Sequence, residues 1–344
     1  MKTKLWFLFS LLISINFLNA QDLVIPTKTE DEVYIKLKRF EGIIDINQNI
    51  EDILKYDPRF VEEIIFKHIE EIEAKKPKIL TTILKILGHF DSPRSILTLG
   101  KYAEPFMAIL EKDKPIPRPR HIRVSAINAL TEKISEERLT HVIKHISDAD
   151  PIFQSLVLKL LTEKEVKEAI DPAYEIFKKS NTEATFNVKT DAASLLMAIS
   201  KDPQLKNSVL LSMLIDPNIH IRKAGLTLLT NGGEAGDAEV RRKLIDLLKN
   251  AKNEELELAC KGVGTIKAME AKDELLIVLN REKSPLIKWE CLNSLSKINY
   301  DKNELNNKIK EIIANYKGNE NINNAERERF QKLLEYLNAP KEPK

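Results

Sequence analysis

Apolar residues recur at helical spacing along nearly the whole chain. The stretch from Arg59 to Ile72, RFVEEIIFKHIEEI, places its large apolar side chains on one side of a helix, and the run from Leu244 to Leu248 shows the same pattern. No run alternates apolar and polar residues between turn residues, as a half-buried strand would. The pattern therefore predicts an all-α protein.

Asp or Ser followed by Pro marks the predicted helix starts. The side-chain oxygen of the first residue caps the helix, and Pro fits the first helical position, where a missing N–H costs nothing. These dipeptides begin at Asp57, Ser92, Asp150, Asp171, Asp202, Asp216 and Ser284.

One segment pattern repeats along the chain. Clear copies begin at Ile122 (IRVSAINALTEK), Val188 (VKTDAASLLMAI), Ile221 (IRKAGLTLLTNG) and Ile287 (IKWECLNSLSKI), with weaker ones at Ile79, Phe153 and Glu255. Each carries an anchor eight residues after its start: Leu87, Leu130, Leu161, Leu196, Leu229, Val263 and Leu295. Five of the six anchor spacings lie between 31 and 35, and the first is 43. This period, with two helices per unit, is typical of an α-solenoid.

The motif Val/Ile-Arg-x-x-Ala-x-x-x-Leu, preceded by Asp-Pro, resembles HEAT repeats, most closely the short bacterial HEAT-like repeats of the phycobilisome-lyase type. The best copy runs from Asp216 to Ala224, although its Ala comes one residue early. The resemblance covers about residues 77–300. It implies a right-handed α-solenoid of stacked helical hairpins, a HEAT-like or armadillo-type superhelix, whose second helices line a concave, partner-facing side.

The resemblance also implies a ladder of ion pairs between repeats. In the family, an acid six residues before the motif's basic residue takes part in it. Three pairs keep this spacing and are the predicted structural ladder: Asp216 with Arg222, Glu183 with Lys189, and Glu282 with Lys288. Three other repeats lack it, so we expect the ladder to be incomplete. The recurring basic residues could instead form a basic stripe.

The first 20 residues have the features of a signal peptide. Lys2 and Lys4 precede an apolar stretch from Leu5 to Leu18, and Ala20 ends the segment. The apolar stretch is shorter than the ~20 residues that a membrane-spanning helix needs, so a cleaved signal is favoured over a retained anchor. We expect a protein exported to the periplasm or the extracellular space, without a stable membrane anchor.

The remaining boundaries follow from the repeats and from composition. The sequence predicts a flexible mature N-terminus over 21–29, capping helices over 30–76 and the repeat array over 77–300. A Pro-rich loop at 112–120 interrupts the array and accounts for the long first spacing. Capping helices follow over 301–338, and residues 339–344 form a predicted disordered tail.

The charge balance argues against nucleic acid as the partner. The chain has 54 Lys and Arg against 52 Asp and Glu, and removal of the signal peptide with its two lysines leaves equal numbers. A nucleic-acid-binding protein would be expected to carry a basic excess. The densest basic stretch, KDKPIPRPRHIR, supplies Arg118, Arg120 and Arg123 as candidate contacts to a partner. The alternative is an ordinary loop between repeats.

No catalytic, cofactor or metal constellation stands out. His141 and His145 are four residues apart, but two ligands are too few for a metal site. None of the six histidines is followed by Glu, so the ligands of the iron-dependent hydroxylase within the HEAT-like family are missing. Cys260 and Cys291 are expected to be buried thiols, because stacked helices lie about 8–10 Å apart whereas a disulfide needs Cα atoms within about 7 Å.

These observations predict an exported, non-catalytic scaffold that binds another protein, of unspecified identity, and holds no cofactor. The alternative is a small-ligand binder or lyase-like enzyme built on the same HEAT-like scaffold. Such a protein would need a deep cleft with convergent polar groups. A third possibility is an accessory part of a larger envelope assembly, held by its terminal repeats.

Overall fold

A computed structural model of the chain describes residues 27–39, 46–75, 77–111, 114–180, 182–232, 237–298, 300–316 and 324–339. These residues are almost entirely helical, which confirms the all-α class. The chain divides into two compact units, residues 1–144 and 145–344. The predicted signal peptide, residues 21–26 and residues 340–344 lie outside the described residues. Among the described helices, none combines the length and the apolar character that a membrane span requires.

The first unit holds seven described helices and a β-hairpin. The elements are α1 (Thr27–Arg39), α2 (Ile46–Ile53), α3 (Pro58–Lys75), α4 (Pro77–Gly88), α5 (Pro93–Ala103), β1 (Phe106–Glu111), β2 (Lys114–Pro117), α6 (Arg120–Thr131) and α7 (Glu136–Ile143). Helix α4 packs on α6, and both also contact α5. This is the stacked-hairpin arrangement that the repeat motif predicts.

The second unit contains the longer stack. Its helices are α8 (Pro151–Glu163), α9 (Ile170–Lys179), α10 (Phe186–Ile199), α11 (Pro203–Leu214), α12 (Ile219–Gly232), α13 (Ala238–Asn250), α14 (Asn253–Thr265), α15 (Lys272–Arg281), α16 (Pro285–Lys297), α17 (Lys302–Tyr316) and α18 (Asn324–Asn338). Helices α8, α10, α12, α14 and α16 each contact the next and are termed the motif layer. Helices α9, α11, α13, α15 and α17 form the second layer, and each contacts the helix that follows it in the chain.

The repeat anchors hold this architecture together. All seven lie on α4, α6 or motif-layer helices and are fully buried: Leu87, Leu130, Leu161, Leu196, Leu229, Val263 and Leu295. Fully burying a side chain of this size stabilises the fold by roughly 1.5–3 kcal/mol. The period in the sequence is therefore the period of the core.

Most of the predicted helix starts are confirmed by their caps. The Asp150 carboxylate accepts the N–H of Ile152 at 3.1 Å, and the Ser92 hydroxyl accepts that of Ser95 at 3.1 Å. Two starts differ from the prediction. Helix α12 begins at Ile219 because Asn218, rather than Asp216, caps it, with its side-chain oxygen accepting the N–H of His220 at 2.9 Å. Helix α9 begins before its Asp-Pro dipeptide, at Ile170.

Within the predicted Pro-rich loop at 112–120, the described residues Lys114–Pro117 form strand β2. Strand β1 pairs antiparallel with β2, with Leu110 opposite Pro115 and Glu111 opposite Lys114. Proline is tolerated because a two-stranded sheet consists of two edge strands, which have an unpaired side. The prolines are compatible with an extended strand, but no pattern in the sequence indicates its partner strand. The hairpin does account for the long first repeat spacing.

The N-terminal boundary also differs from the prediction. Residues 27–29, assigned to a flexible N-terminus, belong to α1, and the short helix α2 was not predicted. Helix α1 has no Asp-Pro or Ser-Pro dipeptide at its start, so the dipeptides that mark other helix starts do not indicate where it begins. At the other end of the chain, α17 and α18 lie within residues 301–338, the segment predicted as capping helices.

Helices α14 and α16 approach each other unusually closely. A Cβ added to Gly264 would lie 2.8 Å from the Cα of Ser294, which is backbone and cannot turn away. The Ser294 hydroxyl donates to the Cys260 carbonyl oxygen at 2.7 Å, so it also links the two helices. A glycine is therefore required here by the helix contact rather than by backbone conformation.

Replacing Gly264 with Ala should destabilise the second unit by about 1–3 kcal/mol, because the added methyl group forces the two helices apart. Gly232→Ala is the matched control, since a Cβ on this helical glycine meets nothing within 4 Å. Chemical denaturation of the full chain measures both free energies of unfolding. Equal stability of the two variants would contradict the close contact.

Candidate functional site

The three arginines predicted to contact a partner have different environments. Arg118 follows β2 and is 5% exposed, and Arg123 on α6 is 4% exposed. Arg120 is exposed at the start of α6. The structure does not bring the three together as a surface patch.

Arg118 is the centre of a buried polar cluster. Its Nη1 donates to Oε1 of Glu73 at 3.2 Å, and its guanidinium lies 4.5 Å from the centroid of the Tyr102 ring. The Tyr102 hydroxyl donates to Oε2 of the same carboxylate at 2.8 Å. Burial lowers the pKa of Arg118, and burial together with the hydrogen bond to Glu73 raises the pKa of Tyr102. The cluster fastens the end of the hairpin to α3 and α5.

Arg123 is also held inside the fold. Its Nε donates at 2.9 Å to the carbonyl oxygen of Ala103, which is the last residue of α5. Through this hydrogen bond the buried guanidinium links α6 to the end of α5. Partner contact therefore stays a prediction for Arg120, whereas Arg118 and Arg123 are structural residues.

Arg118→Ala should lower the free energy of unfolding by about 2–4 kcal/mol, because it leaves the Glu73 carboxylate without its guanidinium partner and removes the packing on the Tyr102 ring. Arg120→Ala, at an exposed site two residues away, should change it by less than about 0.5 kcal/mol. Thermal and chemical denaturation of both variants tests this. Comparable losses in the two would show that Arg118 has no special structural role.

The ladder exists, but its ion pairs join residues other than those predicted. Lys189 on α10 donates to Oδ2 of Asp216 at 2.7 Å, across to the loop before α12. Arg222 on α12 donates through Nε to Oε1 of Glu255 on α14 at 2.5 Å. Arg222 also donates to the backbone oxygen of Asp216 at 2.9 Å. The hydrogen bond to Glu255 raises the pKa of Arg222.

This arrangement runs through three successive motif-layer helices. Asp216 takes part as predicted, but its carboxylate pairs with the preceding repeat, and only its backbone oxygen meets Arg222. Glu183 is exposed, and Glu282 pairs with Arg281 at 3.1 Å, its neighbour in the chain. The correct partner Glu255 lies 33 residues beyond Arg222, about one repeat, a spacing that the motif alone did not reveal.

An exposed apolar strip lies where three motif-layer helices begin, and the sequence did not indicate it. Ile152 at the start of α8 is 62% exposed, and Ile219 at the start of α12 is 42% exposed. Between them, the ring of Phe186 at the start of α10 lies 6.0 Å from that of His220. We define the apolar strip as Pro151, Ile152, Leu156, Phe186, Ile219 and His220.

A shallow groove joins the first two helices of the strip. It has a volume of about 360 Å³ and is lined by Pro151, Ile152, Ser155, Leu156, Lys159, Ala184 and Asn187. Polar groups border it: the Asp191 carboxylate accepts from the Ser155 hydroxyl and lies 3.5 Å from Nζ of Lys159. An apolar centre with a polar border is the composition of a protein-binding surface.

A second hollow of about 350 Å³ lies within the first unit, between α2, α4 and α6. Ile50 and Leu54 form its apolar part. Its polar lining consists of Asn47, Glu51, Lys85, His89, Asn128 and Glu132. Its volume is at the lower end of the range for small-molecule sites.

The histidine pair does not form a metal site. His145 is 3% exposed, and its Nδ1 lies 3.4 Å from Oδ2 of Asp148, while its ring meets that of Phe153 edge-on. Among the residues that the structure describes, no group of three or more His, Cys, Asp or Glu side chains could hold a metal ion. His145 is a packed core histidine.

Comparison with known proteins gives structural neighbours only. No protein-family model matches the sequence. No curated protein matches it.

A solved engineered protein is 17% identical, with a TM-score of 0.39, and the match covers 57% of this chain and 94% of the engineered chain. The complex of CpcE and CpcF of phycocyanin lyase from Nostoc sp. PCC7120 is 12% identical, with a TM-score of 0.36 and 82% and 95% coverage. Human deoxyhypusine hydroxylase in complex with glycerol is 14% identical, with a TM-score of 0.29 and 90% and 97% coverage.

The support for a fold of stacked helical hairpins comes from the chain itself, since its seven buried anchors fall in phase on helices that stack within each unit. A repeat architecture does not define an activity, so function has to be argued from the surfaces above.

Proposed function

We propose that this protein is an exported, non-catalytic scaffold that binds another protein along the apolar strip. The observation that carries the proposal is the exposure of Ile152 and Ile219 on helices whose other apolar residues are buried or half-buried. Contiguous exposed apolar surface with a polar border is a mark of interaction sites on soluble proteins.

The geometry of the strip suits an elongated partner. Its residues come from the starts of three motif-layer helices, and packed helices are spaced about 8–10 Å apart. A partner segment that follows the stack would meet an apolar contact at each helix. The proposal that the protein is exported rests on the signal-peptide pattern of Lys2, Lys4 and the apolar stretch that follows them.

Small-ligand binding is a second candidate, favoured by the hollow in the first unit. Polar side chains of both charges, among them Lys85 and Glu132, surround apolar Ile50 and Leu54 there. Such a mixture could orient a small amphipathic molecule. Native mass spectrometry of the purified chain detects a bound molecule of this kind.

The scaffold proposal is tested by crosslinking in intact cells, followed by mass spectrometry, with a variant that carries both Ile152→Asp and Ile219→Asp. Charges in the centre of an apolar interface should reduce capture of the partner at least about tenfold, which corresponds to about 1.4 kcal/mol. The matched control is Ile277→Asp on second-layer α15, at a residue 51% exposed and outside the strip.

The control should retain both the partner and the crosslinks to α8, α10 and α12. An unchanged partner yield in the double variant would remove the strip from the interface. The absence of any protein neighbour, together with a small molecule that co-purifies, would replace the scaffold proposal with ligand binding.

A further inference from the structure

Two thiols meet inside the second unit. Cys260 lies on α14 and Cys291 on α16, both are fully buried, and their Sγ atoms are 3.2 Å apart. A disulfide bond is about 2.05 Å long, so the sulfurs need to move together by only about 1.2 Å. The sequence-based argument against a disulfide assumed an ordinary spacing between stacked helices.

The residues beside the thiols allow α14 and α16 to approach each other closely. Gly264 allows α14 to approach the backbone of Ser294, and the Ser294 hydroxyl holds the Cys260 carbonyl oxygen at 2.7 Å. The cysteines lie one helical turn from this contact on each helix. The approach that makes Gly264 necessary therefore also brings the two sulfurs into contact.

We propose that Cys260 and Cys291 are a modification site, which forms a disulfide between adjacent repeats when the chain folds in an oxidising environment. This proposal does not depend on the apolar strip or on any binding partner. The bond would close a loop that spans 31 positions and contains α15. Such a crosslink restricts the unfolded chain, and it would link two neighbouring motif-layer helices.

The oxidant is an external disulfide, either of a thiol–disulfide oxidoreductase or of a small molecule such as glutathione disulfide. One cysteine, as thiolate, attacks a sulfur of that disulfide, forms a mixed disulfide and releases one external thiol. The second cysteine then attacks the protein sulfur of the mixed disulfide and releases the other. Two protein S–H bonds are lost and one S–S bond forms, while the oxidant's S–S bond is reduced to two thiols.

We expect thiol–disulfide exchange to occur while the chain folds rather than after α14 and α16 have packed. Both thiols are shielded from solvent, and their mutual hydrogen bond and burial raise the pKa of Cys260, which keeps it protonated once the helices have packed. A thiolate is available before α14 and α16 come together, or when they open locally. Oxidation during refolding should therefore be much faster than oxidation of the folded chain.

The test is to refold the reduced full chain with an excess of glutathione disulfide and then to alkylate all remaining thiols under denaturing conditions. The expected result is the loss of both alkylatable thiols, an intact monomer two hydrogen atoms lighter, and one peptide pair joined through Cys260 and Cys291. Cys291→Ala is the control, because a single remaining cysteine cannot form the internal bond.

Two alkylatable thiols after refolding would overturn the proposal, as would separate glutathione adducts on each cysteine or disulfide-linked dimers. If the chain does not refold, the same alkylation assay is applied to natively purified, reduced chain. It is held with glutathione disulfide just below its melting temperature, where local opening exposes the thiols. The same outcomes then decide for or against the bond.

Discussion

The close packing of each motif-layer helix against the next is the contact on which the rest of the second unit depends. A single helical hairpin of this size cannot bury its own apolar face, so each repeat completes its core only against its neighbour. The buried anchors supply the apolar part of this contact. Gly264 and Ser294 set how closely α14 and α16 approach, and the pairs Lys189–Asp216 and Arg222–Glu255 join α10, α12 and α14.

The same stacking explains why the apolar strip lies at helix starts. Because successive motif-layer helices pack side by side, the first residues of α8, α10 and α12 form a row. Ile152, Phe186 and Ile219 occupy such positions on consecutive motif-layer helices. A stack of this kind offers an extended row of contacts to a partner, and the groove beside Ile152 and the hollow between α2, α4 and α6 are modest in volume.

The sequence predicts local features of this fold well. The anchor period identifies the helices that stack, and the Asp-Pro and Ser-Pro dipeptides identify most of their starts, because caps depend on a few neighbouring residues. Contacts between distant residues were not predictable in this way. Arg118 reads as a surface charge in a basic stretch, yet Glu73 and Tyr102, far away in the sequence, make it a buried residue. Fully buried Arg138, which donates to the carbonyl oxygens of Gly88, Phe90 and Ala129, was missed for the same reason.

The candidate site was the least predictable part. Exposure of Ile152 depends on what covers it, and no local pattern separates an exposed isoleucine at a helix start from a buried one. The ladder was predicted in kind but not in its pairs, because Arg222 could reach either the acid of its own repeat or one in the next. Which of the two it binds depends on the distance between helices, and that distance is set by packing.

Native-state hydrogen exchange of the full chain, followed by mass spectrometry, tests the central role of motif-layer stacking most directly. The account predicts that the amides of α10, α12 and α14 exchange last and with similar free energies of opening, because each of these helices is packed between two others of its layer. Helices α9 and α15 of the second layer should exchange earlier. If the second layer were as protected as the motif layer, or if each hairpin opened independently of its neighbours, the account would be contradicted.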